Sequence, residues 1–479
     1  MTNHLFDAML AGRLTDERPF LKLADGRIWS YAEILALSGR MANALRDLGA
    51  RRDDRVAVLV EKSPEALALY FACLRAGIVF IPLNTAFTRT ELDYYIDDAE
   101  PAVVVCDARR RDDLAAVAER RGAVLVTLNG DGGGELAERA EGAPADFDTT
   151  PRAAGDLAAT LYTSGTTGRS KGAMLSHANL LSNAEALAAA WRFTENDVLL
   201  HGLPIFHTHG LFVATNVMAM VGGSMIFMAK FDAAEMIRLL PGATVMMGVP
   251  TYYTRLLARD DLTREAVAHM RLFISGSAPL LAETQAAFEA RTGHRILERY
   301  GMTETNMITS NPYDGERRPG SVGFPLPGVE VKIADRESGA AMPRGEIGII
   351  EVRGPNVFSG YWRMPEMTAK ELRANGFFIT SDLGLIDAEG YVHIVGRAKD
   401  LIITGGYNVY PKKVEAEIDT IDGVVESAVF GVPHPDFGEG VVVAVVLATG
   451  AALSEEQVVD ALDGRLARFK QPKRVLFVE

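Results

Sequence analysis

The chain has little cysteine and fewer basic than acidic residues. Its two cysteines are Cys73, in an apolar helical run, and Cys106, at the end of a strand-like segment. Two isolated thiols exclude a disulfide scaffold and a zinc site built from cysteine pairs, and they favour a reducing compartment. The 49 basic side chains are outnumbered by 63 acidic ones, which gives a net charge of −14. This charge disfavours binding to nucleic acid or to an anionic membrane, but it allows a local basic pocket for a small anion.

Signals for export or membrane insertion are also missing. The first residues lack the charged start and long apolar core of a signal peptide, and they are too acidic for a transit peptide. Residues 198–229 contain no Asp, Glu, Lys or Arg, but Gly222 and Gly223 divide them into a helix-like half and a short strand-like half. We expect a buried core segment here rather than a membrane span. The sequence therefore predicts a cytoplasmic protein.

Short apolar runs alternate with helical patterns along most of the chain. Strand-like runs at 55–60 and 79–82 flank a helical pattern at 64–75, and the same rhythm recurs after residue 200. Such alternation is typical of βαβ units that build a mostly parallel sheet. The sequence thus predicts an α/β fold with a large N-terminal domain of stacked βαβ-type subdomains.

The character of the sequence changes towards the C-terminus. After Ser321, shorter strand-like runs broken by Gly and Pro predict a small β-rich unit. The segment beyond Lys399 has the pattern of a compact α+β domain, with predicted helices at 412–421 and 454–466. We therefore divide the chain into an N-terminal domain, 1–398, and a C-terminal domain, 399–479.

The most informative segment follows the strand-like run Leu157–Tyr162 and reads T-S-G-T-T-G-R-S-K-G. Glycines let backbone N–H groups approach an anion, hydroxyls donate to phosphate oxygens, and lysine neutralises charge. The segment therefore predicts a phosphate-binding loop rather than a flexible linker. The candidate residues are Thr163, Ser164, Gly165, Thr166, Thr167, Gly168, Arg169 and Lys171.

Two other motifs use the same residues. A P-loop requires glycine before the lysine and a hydroxyl after it, whereas Ser170 precedes Lys171 and Gly172 follows it. Gly168–Gly172 fits the G-x-S-x-G pattern of a nucleophile elbow, but that elbow requires a strand that runs directly into the serine. Seven loop-like residues separate Tyr162 from Ser170. We therefore favour neither alternative.

Four motifs in register resemble those of the adenylate-forming superfamily, which includes acyl-CoA synthetases, peptide-synthetase adenylation domains and luciferases. The first is the phosphate loop. The others are Tyr300-Gly301-Met302-Thr303-Glu304, Thr380-Ser381-Asp382, and Gly396-Arg397-Ala398-Lys399-Asp400, which is followed by Gly405-Gly406-Tyr407. The resemblance covers nearly the whole chain from about Tyr31. It implies a ligase that uses ATP, Mg²⁺ and coenzyme A, and that forms an acyl-adenylate before the thioester.

The resemblance also implies a role for each matching residue. Glu304 would hold Mg²⁺, which prefers oxygen ligands and bridges phosphates, and Thr303 would donate to phosphate beside Lys171. Lys399 would be the hinge on which a mobile C-terminal domain rotates between the two half-reactions. The further nucleotide-binding candidates are Ser277, Ala278, Pro279, Tyr300, Gly301, Asp382 and Arg397, and the coenzyme A candidates are Gly405, Gly406 and Tyr407.

Two features depart from the superfamily pattern. Ser381 replaces the usual glycine before Asp382, and it would be strained if its φ were positive. The superfamily's adenylation lysine lies in a segment that this sequence does not contain. As printed, the chain is expected to be impaired in adenylate formation while retaining thioester formation, and we expect the printed sequence to be incomplete.

Within the superfamily, long segments such as Leu203–Phe212 and Glu298–Asp314 resemble the malonate-activating CoA ligases. A short diacid needs a cation for the carboxylate that does not react, because an unpaired buried charge is costly. We propose Arg255 or Arg271 for this role, since arginine binds carboxylates bidentately. The other predicted substrate-pocket residues are His207, Thr208 and Met302, with Met302 at the pocket floor.

Several alternatives stay open from the sequence. His207 and His209 lack neighbouring cysteine or carboxylate ligands, so they are either core histidines or pocket residues, and we prefer His207 for the pocket. The leading prediction is a ligase that converts malonate, and secondarily methylmalonate, to its CoA thioester. The alternatives are a CoA ligase for acetate or another small acid, an adenylation module that loads a carrier protein, and a catalytically impaired protein that binds adenylate or CoA.

Overall fold

The computed structural model of the chain describes residues 2–163 and 169–478. The chain forms two compact units, of which the first comprises Met1–Val331 and Val352–Phe378, and the second Lys332–Glu351 and Ile379–Glu479. The predicted boundary at Lys399 lies inside the second unit and stays a prediction. Among the described residues, no helix is both long and apolar enough to cross a membrane.

Strands and helices alternate along the first unit. Its strands are β1 Pro19–Leu23, β2 Ile28–Ser30, β3 Arg55–Leu59, β4 Val79–Pro82, β5 Val103–Cys106, β6 Val124–Thr127, β7 Leu157–Thr163, β8 Lys171–Ser176, β9 Val198–His201, β10 Ser224–Phe227, β11 Val245–Gly248, β12 Leu272–Ser275, β13 Leu297–Met302, β14 Asn306–Ser310 and β15 Phe324–Pro325. Its helices are α1 His4–Leu10, α2 Tyr31–Asp47, α3 Pro64–Ala76, α4 Arg89–Ala99, α5 Arg111–Arg121, α6 Glu135–Glu141, α7 His177–Ala190, α8 Asn216–Val221, α9 Ala233–Leu239, α10 Pro250–Leu257, α11 Ala282–Thr292 and α12 Pro365–Glu371.

Two sheets organise this unit. The smaller has the order β6-β5-β3-β4-β7-β8 and is parallel except for the last pair. The larger has the order β15-β14-β13-β12-β11-β9-β10-β1-β2 and is parallel from β13 to β1. Strands such as β4, β5 and β11 are apolar on both faces and fully buried, as expected of parallel sheets covered by helices. The predicted α/β fold class is confirmed.

The uncharged segment 198–229 belongs to the core. Between β9 and β10 it forms a π-helix, His209–Thr215, that continues into α8. Helix α3 packs against it, with the Tyr70 ring 6.0 Å from the ring of Phe212 and the Tyr70 hydroxyl donating to Asn216. The predicted division at Gly222 is also confirmed, because Gly222 ends α8 with a φ of 79° and β10 follows at Ser224.

The second unit consists largely of strands. In chain order these are β16 Glu330–Ala334 and β17 Gly348–Arg353, whose outer residues belong to the first unit, then β18 Phe378–Ile386, β19 Val392–Arg397, β20 Ile402–Thr404, β21 Tyr407–Val409, β22 Val424–His434, β23 Gly438–Leu447 and β24 Arg474–Val478. Its helices are α13 Pro411–Ile418 and α14 Glu455–Asp460. One sheet has the order β16-β17-β18-β19, and the other has β21-β20-β23-β22 with β24 beside β23.

The second predicted C-terminal helix is shorter than expected. We predicted a helix over 454–466, but α14 ends at Asp460 and the chain continues in turns. Gly464 has a φ of 77°, a conformation that an α-helix does not accommodate. Leu462, one of the apolar residues whose spacing suggested a longer helix, is nevertheless buried in the core of this unit.

Candidate active site

The predicted phosphate-binding segment lies in a hairpin of the smaller sheet. β7 and β8 pair antiparallel, with Thr163, the last residue of β7, opposite Lys171, the first residue of β8. The structure thus gives the two strand ends between which the predicted loop runs. Five of the predicted loop residues lie outside the described residues, namely Ser164, Gly165, Thr166, Thr167 and Gly168.

Helix α4 holds the described end of this loop. The hydroxyl of Tyr94 donates to the backbone oxygen of Ser170 at 2.7 Å, and the Tyr95 hydroxyl lies 3.1 Å from Ser170 Oγ. The guanidinium of Arg169 lies 5.0 Å from the centre of the Tyr94 ring, within cation–π range. Ser170 Oγ is therefore paired with a tyrosine rather than with a histidine base, which argues against the nucleophile-elbow reading.

Lys171 is buried and is already matched by a carboxylate. Its ammonium lies 2.8 Å from Oε1 of Glu371, at the end of α12, and 4.2 Å from the centre of the Tyr361 ring. The Tyr361 hydroxyl lies 2.6 Å from Glu371 Oε2 and 3.0 Å from Glu304 Oε1. Lys171, Glu304, Tyr361 and Glu371 therefore form one connected group, which we call the Lys171 cluster.

Glu304 is suited to a metal that also binds phosphate. Burial raises the pKa of its carboxyl and outweighs the backbone hydrogen bond, the Tyr361 hydroxyl and the charge of Lys171, which all favour the ionised form. No group of three or more His, Cys, Asp or Glu side chains in residues 2–163 and 169–478 is arranged to hold a metal ion. This chemistry fits Mg²⁺, which is commonly held by one or two carboxylates together with water and substrate phosphates.

The Tyr300–Glu304 motif lies at a tight turn of the larger sheet. β13 and β14 form an antiparallel hairpin in which Met302 lies opposite Asn306. A Cβ atom on Gly301 would lie 2.1 Å from the backbone oxygen of Asn306, so only glycine allows the strands to approach this closely. The turn places Thr303 and Glu304 at its tip, and the buried Tyr300 precedes it on β13.

Ser277, Ala278 and Pro279 follow β12 as an exposed segment. Ser277 has a φ of 71°, in the left-handed region, and its hydroxyl lies 3.3 Å from Nδ1 of His209. Glu298 fixes the residue that follows this segment, because its Oε1 accepts a hydrogen bond from the N–H of Leu280 at 3.2 Å. The predicted adenine-lining segment is thus strained, with fixed contacts at both of its ends.

The two histidines of the predicted pocket differ in exposure. His207 is exposed, with its ring 4.7 Å from that of Phe206, whereas His209 and Thr208 are buried. Burial and the positive charge of Arg299 hold the pKa of His209 well below its usual value, so this imidazole is neutral. His207 stays a predicted pocket residue, and His209 supports Ser277.

The two arginines proposed for the distal carboxylate are not equivalent. Arg271 is already ion-paired, with Nε 2.6 Å from Asp197 Oδ1 and Nη1 donating to the backbone oxygen of Trp191 at 3.0 Å. We therefore withdraw Arg271, because its charge is matched within the fold. Arg255 lies exposed on α10, with its guanidinium 5.9 Å from the centre of the Phe231 ring, and it stays a candidate.

A third arginine fits the role better than either. Arg299 on β13 is only 3% exposed, and its Nε and Nη2 atoms are buried with no hydrogen-bond partner among the described residues. A Cβ atom on Gly276 would lie 2.5 Å from the Arg299 Cζ, so the glycine makes room for the guanidinium beside Ser277. Burial lowers the pKa of Arg299 to about 9. A buried cation without a partner is costly unless a ligand supplies the anion.

The sequence analysis missed three of these side chains. Arg299 directly precedes the recognised Tyr300 motif, and the signal was a Glu-Arg pair inside an otherwise apolar strand. Glu371 and Tyr361 had no local signal, because they lie far from Lys171 and Glu304 in the sequence and meet them only in the folded chain. Met302 is half-buried at the end of β13, and its place at the pocket floor stays a prediction.

In the second unit, Asp382 and Arg397 lie opposite each other on β18 and β19. Asp382 is buried and forms an ion pair with Arg397, in which Asp382 Oδ1 lies 3.2 Å from Arg397 Nε. Ser381 has a positive φ of 63°, and the serine that replaces the usual glycine is therefore strained. The structure therefore brings together the two residues predicted to contact the nucleoside, next to a strained backbone.

The remaining candidates also belong to the second unit. Lys399 is exposed in a single 3₁₀ turn, Ala398–Asp400, that follows β19. Gly405 and Gly406 have φ values of 56° and 81° and form the turn between β20 and β21. Tyr407 is 60% exposed, and its ring stacks on Phe469 at 4.8 Å. These are positions at which a turn and an exposed ring can meet a ligand.

The chain matches two family models over most of its length. Residues 11–362 match the AMP-binding enzyme family, and residues 413–479 match the AMP-binding enzyme C-terminal domain. The chain therefore belongs to the AMP-binding enzymes, the class that also contains the adenylate-forming CoA ligases.

The chain is similar over nearly its whole length to individual proteins of this class. The crystal structure of ATP-bound MatB from Rhodopseudomonas palustris is 60% identical, with a TM-score of 0.98 over 100% of this chain and 95% of that one. A malonate–CoA ligase of Arabidopsis thaliana is 31% identical over 95% of this chain and 82% of its own length. A feruloyl-CoA synthase of an Amycolatopsis species is 35% identical over 95% of this chain and 91% of its own length.

Proposed function

We propose that this protein is an ATP-dependent malonate–CoA ligase that also accepts methylmalonate. The malonate carboxylate attacks the α-phosphate of ATP, which gives malonyl-adenylate and releases pyrophosphate. The thiol of coenzyme A then attacks the acyl carbon, which forms the thioester and releases AMP. Family membership and the 60% identical ATP-bound MatB support the use of ATP, and the malonate–CoA ligase relative supports the acid.

The choice of acid rests on Arg299, whose buried Nε and Nη2 have no hydrogen-bond partner in residues 2–163 and 169–478. A ligase for an aromatic or long-chain acid needs an apolar cavity, in which a buried unpaired cation would be costly. A dicarboxylate brings a second anion that Arg299 can bind through two hydrogen bonds. Because Arg299 lies beside Gly276 and Ser277, this anion would be bound close to the predicted nucleotide. Arg255 serves as a second, more exposed candidate for the same carboxylate.

The other residues take the roles that their chemistry suits. We assign Lys171, Thr303 and the predicted loop to the phosphates, Ser277–Pro279 to the adenine, and Asp382 with Arg397 to the nucleoside. Mg²⁺ bound to Glu304 and the phosphates would neutralise charge on the reacting triphosphate. His207 and Met302 would shape the acyl pocket.

The second half-reaction uses the other unit. We assign Gly405, Gly406 and Tyr407 to the pantetheine arm of coenzyme A, and Lys399 to the hinge. We also propose a cytoplasmic location, which the two buried free thiols Cys73 and Cys106 support because they would stay reduced there.

The test is a chromatographic assay of nucleotide products with the full-length protein. The protein is incubated with Mg-ATP and coenzyme A, together with malonate, methylmalonate, acetate or a medium-chain acid in parallel. We expect strong AMP formation with malonate, less with methylmalonate and little with acetate. AMP formed mainly with acetate or the medium-chain acid would keep the ligase class and overturn the assigned acid. No AMP with any acid would overturn the ligase reading.

A further inference from the structure

The Lys171 cluster contains an acidic residue, Glu371, that the proposed function does not use. Lys171 is 6% exposed, and its ammonium pairs with Glu371 at 2.8 Å rather than with Glu304. Glu371 lies at the end of α12, far from the phosphate-loop motif in sequence. A buried ammonium requires such a counter-ion, because burying it alone would be prohibitive.

ATP brings phosphate oxygens that compete for the same ammonium. If Lys171 binds phosphate, its positive charge is either shared between the phosphate and Glu371 or no longer paired with Glu371. Glu371 is then the group best able to tolerate the loss, because its side chain is 22% exposed whereas that of Lys171 is 7% exposed. Water can therefore solvate the carboxylate that Lys171 releases.

Tyr361 gives Glu371 a second contact that survives this exchange. The tyrosine has one hydroxyl proton and lies between two carboxylates, at 2.6 Å from Glu371 and 3.0 Å from Glu304. One O–H group donates fully to only one acceptor at a time. The shorter bond goes to Glu371, so the tyrosine keeps that carboxylate in place whether or not Lys171 remains paired with it.

We propose that Glu371 is a positioning residue that holds Lys171 ready in the nucleotide-free enzyme and competes with ATP phosphates for it. Glu371 thereby limits the affinity for the nucleotide and orders the lysine before ATP arrives. This inference rests on the proposed use of ATP, and it adds a residue that sets how tightly ATP binds.

The experiment measures ATP dissociation constants by calorimetry in EDTA, so that neither Mg²⁺ nor turnover contributes. Wild type is compared with Glu371→Gln and with Glu366→Gln, a matched control at an exposed position in the first turn of the same helix. Glu371→Gln removes the competing charge and keeps a similar shape, so we expect metal-free ATP to bind about fivefold more tightly. Glu366→Gln should leave the constant unchanged.

A second background shows whether the effect passes through the lysine. In Lys171→Met, ATP binding should be weaker than in wild type, and adding Glu371→Gln should produce no further tightening. Unchanged or weaker binding by Glu371→Gln would overturn the inference while leaving the ligase proposal intact. Failure of the wild type to bind ATP would overturn both. If Glu371→Gln does not fold, Glu371→Asp retracts the carboxylate by one methylene, and it must tighten metal-free ATP binding in the same direction.

Discussion

Arg271 and Arg299 accompany neighbouring parallel strands of the same sheet but have opposite environments. Arg271 immediately precedes β12, and its guanidinium is ion-paired with Asp197. Arg299 lies in β13, just past the point where Ser275 of β12 pairs with Glu298, and two of its nitrogens are buried without partners among the described residues. The first arginine therefore serves the fold, and the second is available to a ligand.

Their positions on the strands account for the difference. In open parallel sheets, ligands bind beyond the carboxyl ends of the strands, whereas the amino ends close against the rest of the fold. Arg271 immediately precedes the amino end of β12, whereas Arg299 lies in the middle of β13, just past the carboxyl end of β12 and beside Gly276. The position of an arginine relative to the carboxyl end of a neighbouring strand can thus indicate whether its charge is available to a ligand, before its partners are known.

The largest effect is expected at Arg299. Arg299→Met keeps similar volume and removes the charge, so kcat/KM for malonate should fall by roughly 10²–10³-fold, as expected when one partner of a buried ion pair is lost. Activity with acetate should be kept or raised, because acetate has no second carboxylate. The measurement is the ratio of kcat/KM for the two acids in the full-length protein.

The matched control in that assay is Arg271→Met, the same substitution at the other end of the strand pair. It should leave the malonate-to-acetate ratio unchanged. If Arg271→Met changes the ratio and Arg299→Met does not, the assignment of the two arginines is reversed. If neither changes it, Arg255 becomes the remaining candidate, and Arg255→Ala tests it directly.

Arg271→Met should instead show its effect in stability. Removing one partner leaves the Asp197 carboxylate, which is only 5% exposed, without its cation. We expect the free energy of unfolding to fall by about 3 kcal/mol, measured by denaturant titration. The double variant Arg271→Met/Asp197→Asn should recover part of this loss, and a loss that is simply additive would contradict the pairing.

Glu298, the neighbour of Arg299, should make stability depend on pH. Burial raises the pKa of its carboxyl from 4.5 to about 7. As pH rises from about 4.5, the unfolded chain releases this proton before the folded protein does, so folded stability is lost up to about pH 7. Glu298→Gln removes this titration and should be more stable than wild type by up to about 3 kcal/mol above pH 7.

The same two proteins should have nearly equal pH dependence below pH 4.5, where Glu298 is protonated in both the folded and the unfolded states. The measurement is the difference in unfolding free energy between them at several pH values from 4 to 8. A difference that stays constant over this range would mean that Glu298 is not held in its uncharged form by burial.

The smallest expected effect concerns strained backbone. Ser381 and Ser277 have φ values of 63° and 71°, in a region that glycine adopts at little cost. Ser381→Gly should stabilise the protein by about 1 kcal/mol. Ser277→Gly should gain less, because it also loses the contact of the Ser277 hydroxyl with His209. Thermal unfolding of both variants checks this order, and equal gains would contradict a role for the hydroxyl.

Much of the fold followed from the sequence because its signals are local. The strand β4 was predicted to the residue and the helix α3 to within one residue, since each is an apolar run or a helical pattern bounded by turn residues. The second C-terminal helix was predicted too long, because its apolar spacing continued through turns. The π-helix at His209–Thr215 was not predicted, since an extra residue per turn leaves no distinctive pattern in an apolar segment.

The candidate site also has one part that was predicted from the sequence and another that only the structure shows. The sequence by itself determined the AMP-binding class and predicted site roles for Lys171, Glu304 and Asp382, because these residues lie in short motifs whose spacing matches a turn or a strand end. Only the tertiary structure decided which charges are matched. It paired Arg271 with Asp197 and Lys171 with Glu371, and it left two nitrogens of Arg299 without a hydrogen-bond partner among the described residues. Charge pairing depends on distances between side chains far apart in the sequence, and those distances exist only once the sheets have formed.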